Sequence, residues 1–374
     1  MWSAGESSSR IRVALFAALA VLTLGFAMQT AVAASYVYVG NADSQDVSIF
    51  ELKPDGKLAM IDTVVVQRPA QPGRSMLIAT SPNRKVLYVG YLRDPSYAVA
   101  TYAIDQQHGT LSPLGTTQLA DTLAYLATDR SGKFLLGASY GGNKVLVNAI
   151  EPNGLVGETR QLVNTLPFAH CIITDPTNHY VFHTALGGDV IYQQRFDAKT
   201  GMLTPNDPPT VAVAAKGGPR FITFAPNGRF VYAIDELDGS IYVFPFDAKT
   251  GTLKQAVQMT TALPPGFSDK PWGADIRITP DGKLLYASER TSSTLASFHV
   301  DAKTGKLTPI ESTATVKQPR AIAIDASGSF LLSASQITGS MASYAINKTT
   351  GKLTLVGEYP VGTNPTWVEI VKLH

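Results

Sequence analysis

The 374-residue chain carries 31 lysines and arginines against 29 aspartates and glutamates, a formal net charge of +2 at pH 7. Near-neutrality without a dense basic run excludes a nucleic-acid-binding stripe, and the single cysteine, Cys171, excludes an intramolecular disulfide. Composition therefore points to a small-molecule or protein ligand.

The chain opens with Arg10 and Arg12 ahead of an apolar run from Val13 to Met28, followed by Ala31-Val32-Ala33, an A-x-A cleavage pattern. Gly25 and Gln29 interrupt this run, which is shorter than the roughly 20 residues a membrane span needs. Residues 1–33 are expected to be a signal peptide, with export to a bacterial periplasm and no membrane association after cleavage. Residues 34–374 then form one domain.

Tyr36–Asn41 reads as the first strand, entering without a preceding turn. From there a turn signature recurs. Its clearest copies are Phe196-Asp-Ala-Lys-Thr-Gly-Met-Leu203, Phe246-Asp-Ala-Lys-Thr-Gly-Thr-Leu253, Val300-Asp-Ala-Lys-Thr-Gly-Lys-Leu307 and Ile346-Asn-Lys-Thr-Thr-Gly-Lys-Leu353. Weaker copies place the glycine at Gly56, Gly109 and Gly154, so the seven glycines stand about 45 to 54 residues apart, the period of propeller blades. In each, glycine is free to take positive φ between two apolar runs.

A second turn, Pro-Asn/Asp-Gly-Arg/Lys, runs in phase with the first and leads into Tyr88, Tyr232 and Tyr286. Degraded copies end at Leu136, Phe182 and Leu332. The best unit reads as strands Arg220–Ala225, Arg229–Glu236, Ser240–Phe246 and Leu253–Thr260, rich in Val, Ile, Phe and Tyr. No sustained helical period appears. The final Pro365-Thr-Trp-Val-Glu-Ile-Val371 aligns with a first strand. The sequence therefore predicts an all-β, seven-bladed β-propeller of four-stranded antiparallel blades, closed by the C-terminal strand completing the first blade.

Aligning the copies on positions 38, 88, 136, 182, 232, 286 and 332 shows which residues break the repeat. Four residues further on stand Ala42, Leu92, Tyr140, Leu186, Glu236, Arg290 and Gln336. Twelve residues before the alignment point stand Met76, Ala124, His170, Arg220, Ala274 and Arg320, with Thr366 as the seventh equivalent. These positions face each other across a hairpin and lie at one mouth of the central channel. His170, Arg220, Glu236 and Arg290 are thus the candidate catalytic set, with Arg320, Gln336 and Asp275 as candidate substrate contacts.

Three arginines aimed at one mouth suit a carboxylate or phosphate through their planar donor forks, and such charges are costly to desolvate without a purpose. The bland alternative is a solvated rim network in which Glu236 pairs with Arg220 and Arg290. Cys171 directly follows His170 and reads as a packed thiol, and His179 and His183 read as structural. No metal-ligand spacing appears, so neither metal nor cofactor is expected. Asp269 and Trp272 fall in the longest inter-blade interval, either a rim over the channel or a packed loop.

At these residues the chain resembles the seven-bladed propeller lactonase family, which contains bacterial 6-phosphogluconolactonases and the fungal carboxymuconate-lactonising enzyme. The resemblance rests on Ala169-His-Cys-Ile-Ile-Thr-Asp175, Gly218-Pro-Arg-Phe-Ile-Thr-Phe224, Asp235-Glu-Leu237, Trp272-Gly-Ala-Asp-Ile276, Glu289-Arg-Thr291 and Gln318-Pro-Arg320. It implies functional residues at His170, Arg220, Glu236 and Arg290. Two positions depart from the family pattern, Phe221 and Ala225, where histidines occur in relatives.

The resemblance implies a lactone hydrolase that opens a sugar-acid lactone, with or without a phosphate, by base-activated water. Its partner would be a small anionic substrate and its state a monomer. The alternatives are a cycloisomerase closing a muconate-like diacid and a non-catalytic exported propeller binding a ligand or protein.

Overall fold

A computed structural model describes residues 34–66, 75–93 and 96–373; the expected signal peptide at 1–33 lies outside the described residues. Seven antiparallel sheets form the blades of a propeller. Blade 1 is built from Pro365–Lys372, Ser35–Asn41, Asp46–Leu52 and Leu58–Val65. The innermost strands of blades 2 to 7 are Leu77–Thr80, Tyr125–Thr128, Ala169–Thr174, Pro219–Phe224, Gly273–Ile278 and Pro319–Ile324. The only helix among the described residues is a single 3₁₀ turn at Leu186–Gly188.

The ring closes as the sequence predicts. Ser35 pairs with Lys372, Tyr36 with Val371 and Gly40 with Trp367, so the first and last strands of the domain protect each other's edges. One strand expectation is corrected. The outer strand of blade 5, read as Leu253–Thr260, is two strands, Thr252–Leu253 and Gln258–Thr261, both paired with Ser240–Asp247. Lys254 N still donates to Pro245 O at 2.9 Å, but Pro245 has no N–H to return, and the ladder breaks there.

The seven turn glycines hold the blades together. All have φ between +67° and +86°, which L side chains adopt only with strain. Each also lies flat against the preceding blade. A Cβ on Gly56, Gly109, Gly154, Gly201, Gly251, Gly305 or Gly351 would meet Phe330, Tyr36, Val86, Phe134, Tyr180, Phe230 or Leu284 respectively.

Two residues past this packing position, the repeat tyrosine adds a hydrogen bond. Tyr38, Tyr88, Tyr232 and Tyr286 donate to the carbonyls of Gly109, Gly154, Gly305 and Gly351 at 2.8 to 3.0 Å. At the seam, Ser343 Oγ donates to Gly56 O at 2.7 Å. Leu136 and Phe182 lack the hydroxyl, and glutamine amides join those blades instead. Gln161 both donates to and accepts from Leu203, and Gln193 accepts from Leu253 N. Each such bond contributes about 1 kcal/mol net.

Substituting the glycines separates the two reasons for their presence. At Gly201 (φ +81°) a Cβ would stand 2.5 Å from Phe134 Cε1, whereas at Gly266 (φ +76°) it would meet nothing within 4 Å. Gly266→Ala is expected to cost about 1–2 kcal/mol from backbone strain alone. Gly201→Ala adds overpacking of about 1–3 kcal/mol. Urea denaturation midpoints of the two variants test this; equal losses would show that inter-blade contact is not what fixes glycine here.

Candidate functional site

The innermost strands carry β-bulges at the same level in several blades. Register slips at Ala169/Ile172, Pro219/Phe221 and Pro319/Ala321 leave His170, Arg220 and Arg320 without single opposing partners. Blade 1 slips at the matching place and leaves Thr366 between paired neighbours. A bulge re-aims the side chain it carries, and here it lets consecutive residues of the innermost strand serve the channel.

Below the mouth the channel is plugged. Tyr125, Phe221 and Trp367, from blades 3, 5 and 1, meet in edge or tilted contacts with ring centroids 5.0 to 6.1 Å apart. These blades are not neighbours, so the rings meet across the axis. His170 packs against Phe221 at 5.4 Å. A cavity of about 660 Å³ stands above, with His170, Glu236, Arg290 and Arg320 on one side and Leu92, Leu123, Ala124 and Tyr140 among its other lining residues. On the far side of the plug, a second cavity of about 380 Å³ is lined by Tyr125, Thr174, Thr223 and Arg277.

Glu236 organises the cationic wall. Its Oε2 accepts from Arg220 Nε at 2.8 Å and from Arg290 Nη2 at 2.9 Å. Arg220 Nη1 also donates to Ala274 O, and its guanidinium carbon lies 4.4 Å from the centroid of Phe221. Arg290 donates to Trp272 O at 3.3 Å and Gly273 O at 3.0 Å, with the Trp272 ring 3.8 Å away. Arg220 and Arg290 are almost wholly buried. Arg320 makes no ion pair with any described residue, so three guanidiniums share one carboxylate and the mouth is net positive.

These charges set the protonation states. Burial, then Arg220, Arg320 and Arg290, hold His170 well below the ordinary imidazole value. Burial raises Glu236, but the Coulombic pull of Arg220 and Arg290 outweighs it and leaves the carboxyl below its usual range. Burial and the like charge of Arg220 push Arg320 down to about 10. The site therefore presents a neutral imidazole, an ionised carboxylate and strained cations that an anion would relieve.

The structure thus brings His170, Arg220, Glu236, Arg290 and Arg320 together. Asp275 is a correction. It lies below the mouth, where its carboxylate accepts from Ile276 N, Ile322 N and Arg277, so it ties blade 6 to blade 7 instead of facing the cavity. Gln336 stands at the expected level, its N donating to Gln318 O, but is not among the cavity-lining residues.

Cys171 is buried, and burial pushes its thiol up to about 12. His183 is buried against Tyr192, and burial lowers its ring to about 3, while exposed His179 stands beside Thr177. Among the described residues, no group of three or more His, Cys, Asp or Glu could hold a metal ion. Trp272 is a rim residue of the cavity, and Asp269 is exposed. Tyr140, whose ring stands 5.7 Å from His170, occupied an aligned position but carried no charge to single it out.

One buried carboxyl group next to the site is unpaired among the described residues. Both Asp235 oxygens are buried without a partner among the described residues, and burial, then Asp238 and Asp189, push its carboxyl up to about 8. The folded protein keeps a proton that the unfolded chain releases near pH 4. Stability is therefore lost as pH rises from about 4 to about 8, and the loss is complete above that. Asp235→Asn should raise the Tm at pH 8 and change it little near pH 4. Equal shifts at both pH values in a thermal scan would contradict the assignment.

The profile of the family described as "Lactonase, 7-bladed beta-propeller" matches residues 36–370. A 6-phosphogluconolactonase of Pectobacterium carotovorum subsp. carotovorum is 40% identical over 337 residues, covering 90% of this chain and 98% of its own. That of Yersinia enterocolitica is 36% identical over 336 residues, with the same coverage of each chain. Among solved structures, one from Bacteroides fragilis superposes with a TM-score of 0.82 at 26% identity, covering 92% of this chain and 99% of that one. The periplasmic gluconolactonase of Pseudomonas aeruginosa shares the fold with a TM-score of 0.82 at 23% identity, covering 91% and 100%.

Proposed function

The chain belongs to the seven-bladed β-propeller lactonase family, and from that premise we propose that it hydrolyses a sugar-acid lactone, with or without a phosphate, at the His170–Glu236 mouth. The observation that carries this reading is the clamp of Glu236 between Arg220 and Arg290, beside a neutral imidazole in the same cavity. Relatives 36–40% identical are named for opening such a lactone.

In this reading Arg320 and the uncompensated positive charge of the mouth draw in the substrate's anionic group. His170 takes a proton from a water as that water attacks the lactone carbonyl. Arg220 and Arg290 stabilise the oxyanion that forms. The ring C–O bond then breaks, the imidazolium returns its proton to the leaving alkoxide, and the hydroxy acid departs as a carboxylate with its proton released to solvent. Glu236 is the less suitable base, because the oxygen it commits to two guanidiniums has little basicity left.

The electrostatics give a direction for the pH profile. His170 is depressed partly by Arg220, Arg320 and Arg290, so an anion bound to those guanidiniums raises it. The acid limb of kcat, which reports the complex, should lie at higher pH than that of kcat/KM, which reports the free enzyme. His170→Asn should lower kcat by roughly 10²-fold or more, and Glu236→Gln should raise KM and lower kcat together. Steady-state hydrolysis of gluconolactone and its 6-phosphate checks both. Full activity in His170→Asn would remove it as the base.

Export is the second part of the proposal. The apolar run and the A-x-A pattern precede the family match, which begins at residue 36, and no helix among the described residues is long and apolar enough to cross a membrane. N-terminal sequencing of protein from the native host should begin at Ala34 or Ser35. An intact Met1 on cytoplasmic protein would overturn it.

A further inference from the structure

The carboxylate of Glu289 is fully buried one residue before Arg290, yet it forms no ion pair with any described residue. All its hydrogen bonds come from neutral donors on two separate segments. Oε1 accepts from Trp272 N at 2.6 Å and Thr291 N at 3.2 Å; Oε2 accepts from Ser292 N and Ser292 Oγ, both at 2.5 Å. Its backbone pairs with Gly273 on the innermost strand of blade 6. One side chain therefore ties the loop entering blade 6 to the turn that follows Arg290.

What that loop does is hold Arg290. Trp272 O accepts from both Arg290 N (3.0 Å) and Arg290 Nε (3.3 Å), and the indole covers the guanidinium at 3.8 Å. With Trp272 fixed on one side and Glu236 on the other, the guanidinium has one orientation. Without the Glu289 anchor, the preceding Phe267–Pro271 stretch offers the Trp272 main chain little to hold it: Ser268, Asp269 and Lys270 are exposed.

The equivalent positions of blades 3 and 7 carry serines. Ser139 accepts from Gly142 N, and Ser335 accepts from Thr338 N while donating to Lys317 O. Blade 6 thus has the same brace in acceptor-only, longer-reaching form.

We propose that Glu289 is a positioning residue, acting through Trp272 to fix the Arg290 guanidinium in the mouth. The inference rests on the role proposed above for Arg290. Burying an acceptor-only carboxylate among N–H donors suits this task, because all four bonds run one way and none can be reversed by rotation of an amide. Glu289→Gln replaces one acceptor by an NH₂ that faces N–H donors and should release the Trp272 segment.

The test is a double-mutant cycle on lactone hydrolysis with Glu289→Gln, Arg290→Ala and the pair, with Tm measured for each. Glu289→Gln is expected to lower kcat/KM by roughly 10-fold, and the pair to be no worse than Arg290→Ala alone. Multiplying losses would mean that Glu289 acts independently of Arg290 and would overturn the proposal. If Arg290→Ala lowers activity but Glu289→Gln does not, this inference alone fails. If Arg290→Ala is itself without effect, the reading of the site fails first and takes this inference with it. Should Glu289→Gln not fold, Glu289→Asp serves instead. It keeps the charge but is one methylene too short to reach Trp272 N and Ser292 N together, and should show the same non-additivity at smaller amplitude; full activity with it would count against the proposal.

Discussion

The contact on which the structure depends is that of a turn glycine lying flat against a side chain of the preceding blade. It is made seven times, including across the seam where Gly56 meets Phe330. Each contact sets how closely two blades approach, because a Cβ would press on the neighbouring side chain, and positive φ sets the direction of the turn. Seven such contacts, one at each blade boundary, close the ring, and only a closed ring has a channel. The mouth is therefore a consequence of inter-blade packing, not of local strand geometry alone.

Closure also explains how charges so hard to bury are tolerated. Arg220 and Arg290 would each pay a large desolvation penalty in an ordinary core. Here they are held by partners contributed from other blades: Glu236 reaches Arg290 across a blade boundary, and Ala274 O of blade 6 accepts from Arg220 of blade 5. The aromatic layer of Tyr125, Phe221 and Trp367 supports them from below and lowers the local dielectric, which strengthens each ion–dipole contact. The mouth holds more guanidinium than carboxylate, and the guanidinium charges add to burial in lowering His170 and Arg320.

The repeat made most of this visible in the sequence. Periodic glycines gave the blade count, and aligned positions singled out His170, Arg220, Glu236, Arg290 and Arg320, because a charged or titratable group stands out where other blades carry alanine, leucine or methionine. Asp275 was misplaced because a bulge is a backbone event with no composition of its own. An extra residue at Ala274–Asp275 turns the carboxylate toward Ile322 and Arg277, where simple alternation leaves it ambiguous. The break in the outer strand of blade 5 was hidden for a related reason: Leu253–Thr260 holds no proline or glycine to mark it, and the cause, Pro245, sits on the neighbouring strand. Glu289 and Trp272 were present in the quoted motifs, but their importance comes from a hydrogen bond across 17 residues of chain.

The distribution of chemistry around the ring has a physical logic as well. The site residues come from blades 4 to 7 in unbroken succession: His170, Arg220 and Arg320 from the starts of the innermost strands of blades 4, 5 and 7, and Glu236 and Arg290 from the ends of the next strands of blades 5 and 6, while blades 1 to 3 place Thr366, Met76 and Ala124 at the innermost position. Thr366 bonds both N and O of Met76, so that side of the ring is stitched by neutral contacts that need no ligand. A charge cluster confined to consecutive blades can share its counter-ion across a blade boundary, as Glu236 does between Arg220 of its own blade and Arg290 of the next. The same residues scattered around seven blades would each need a separate partner. Grouping the cations is what makes a single carboxylate sufficient to hold two of them, and leaves the third open toward the cavity.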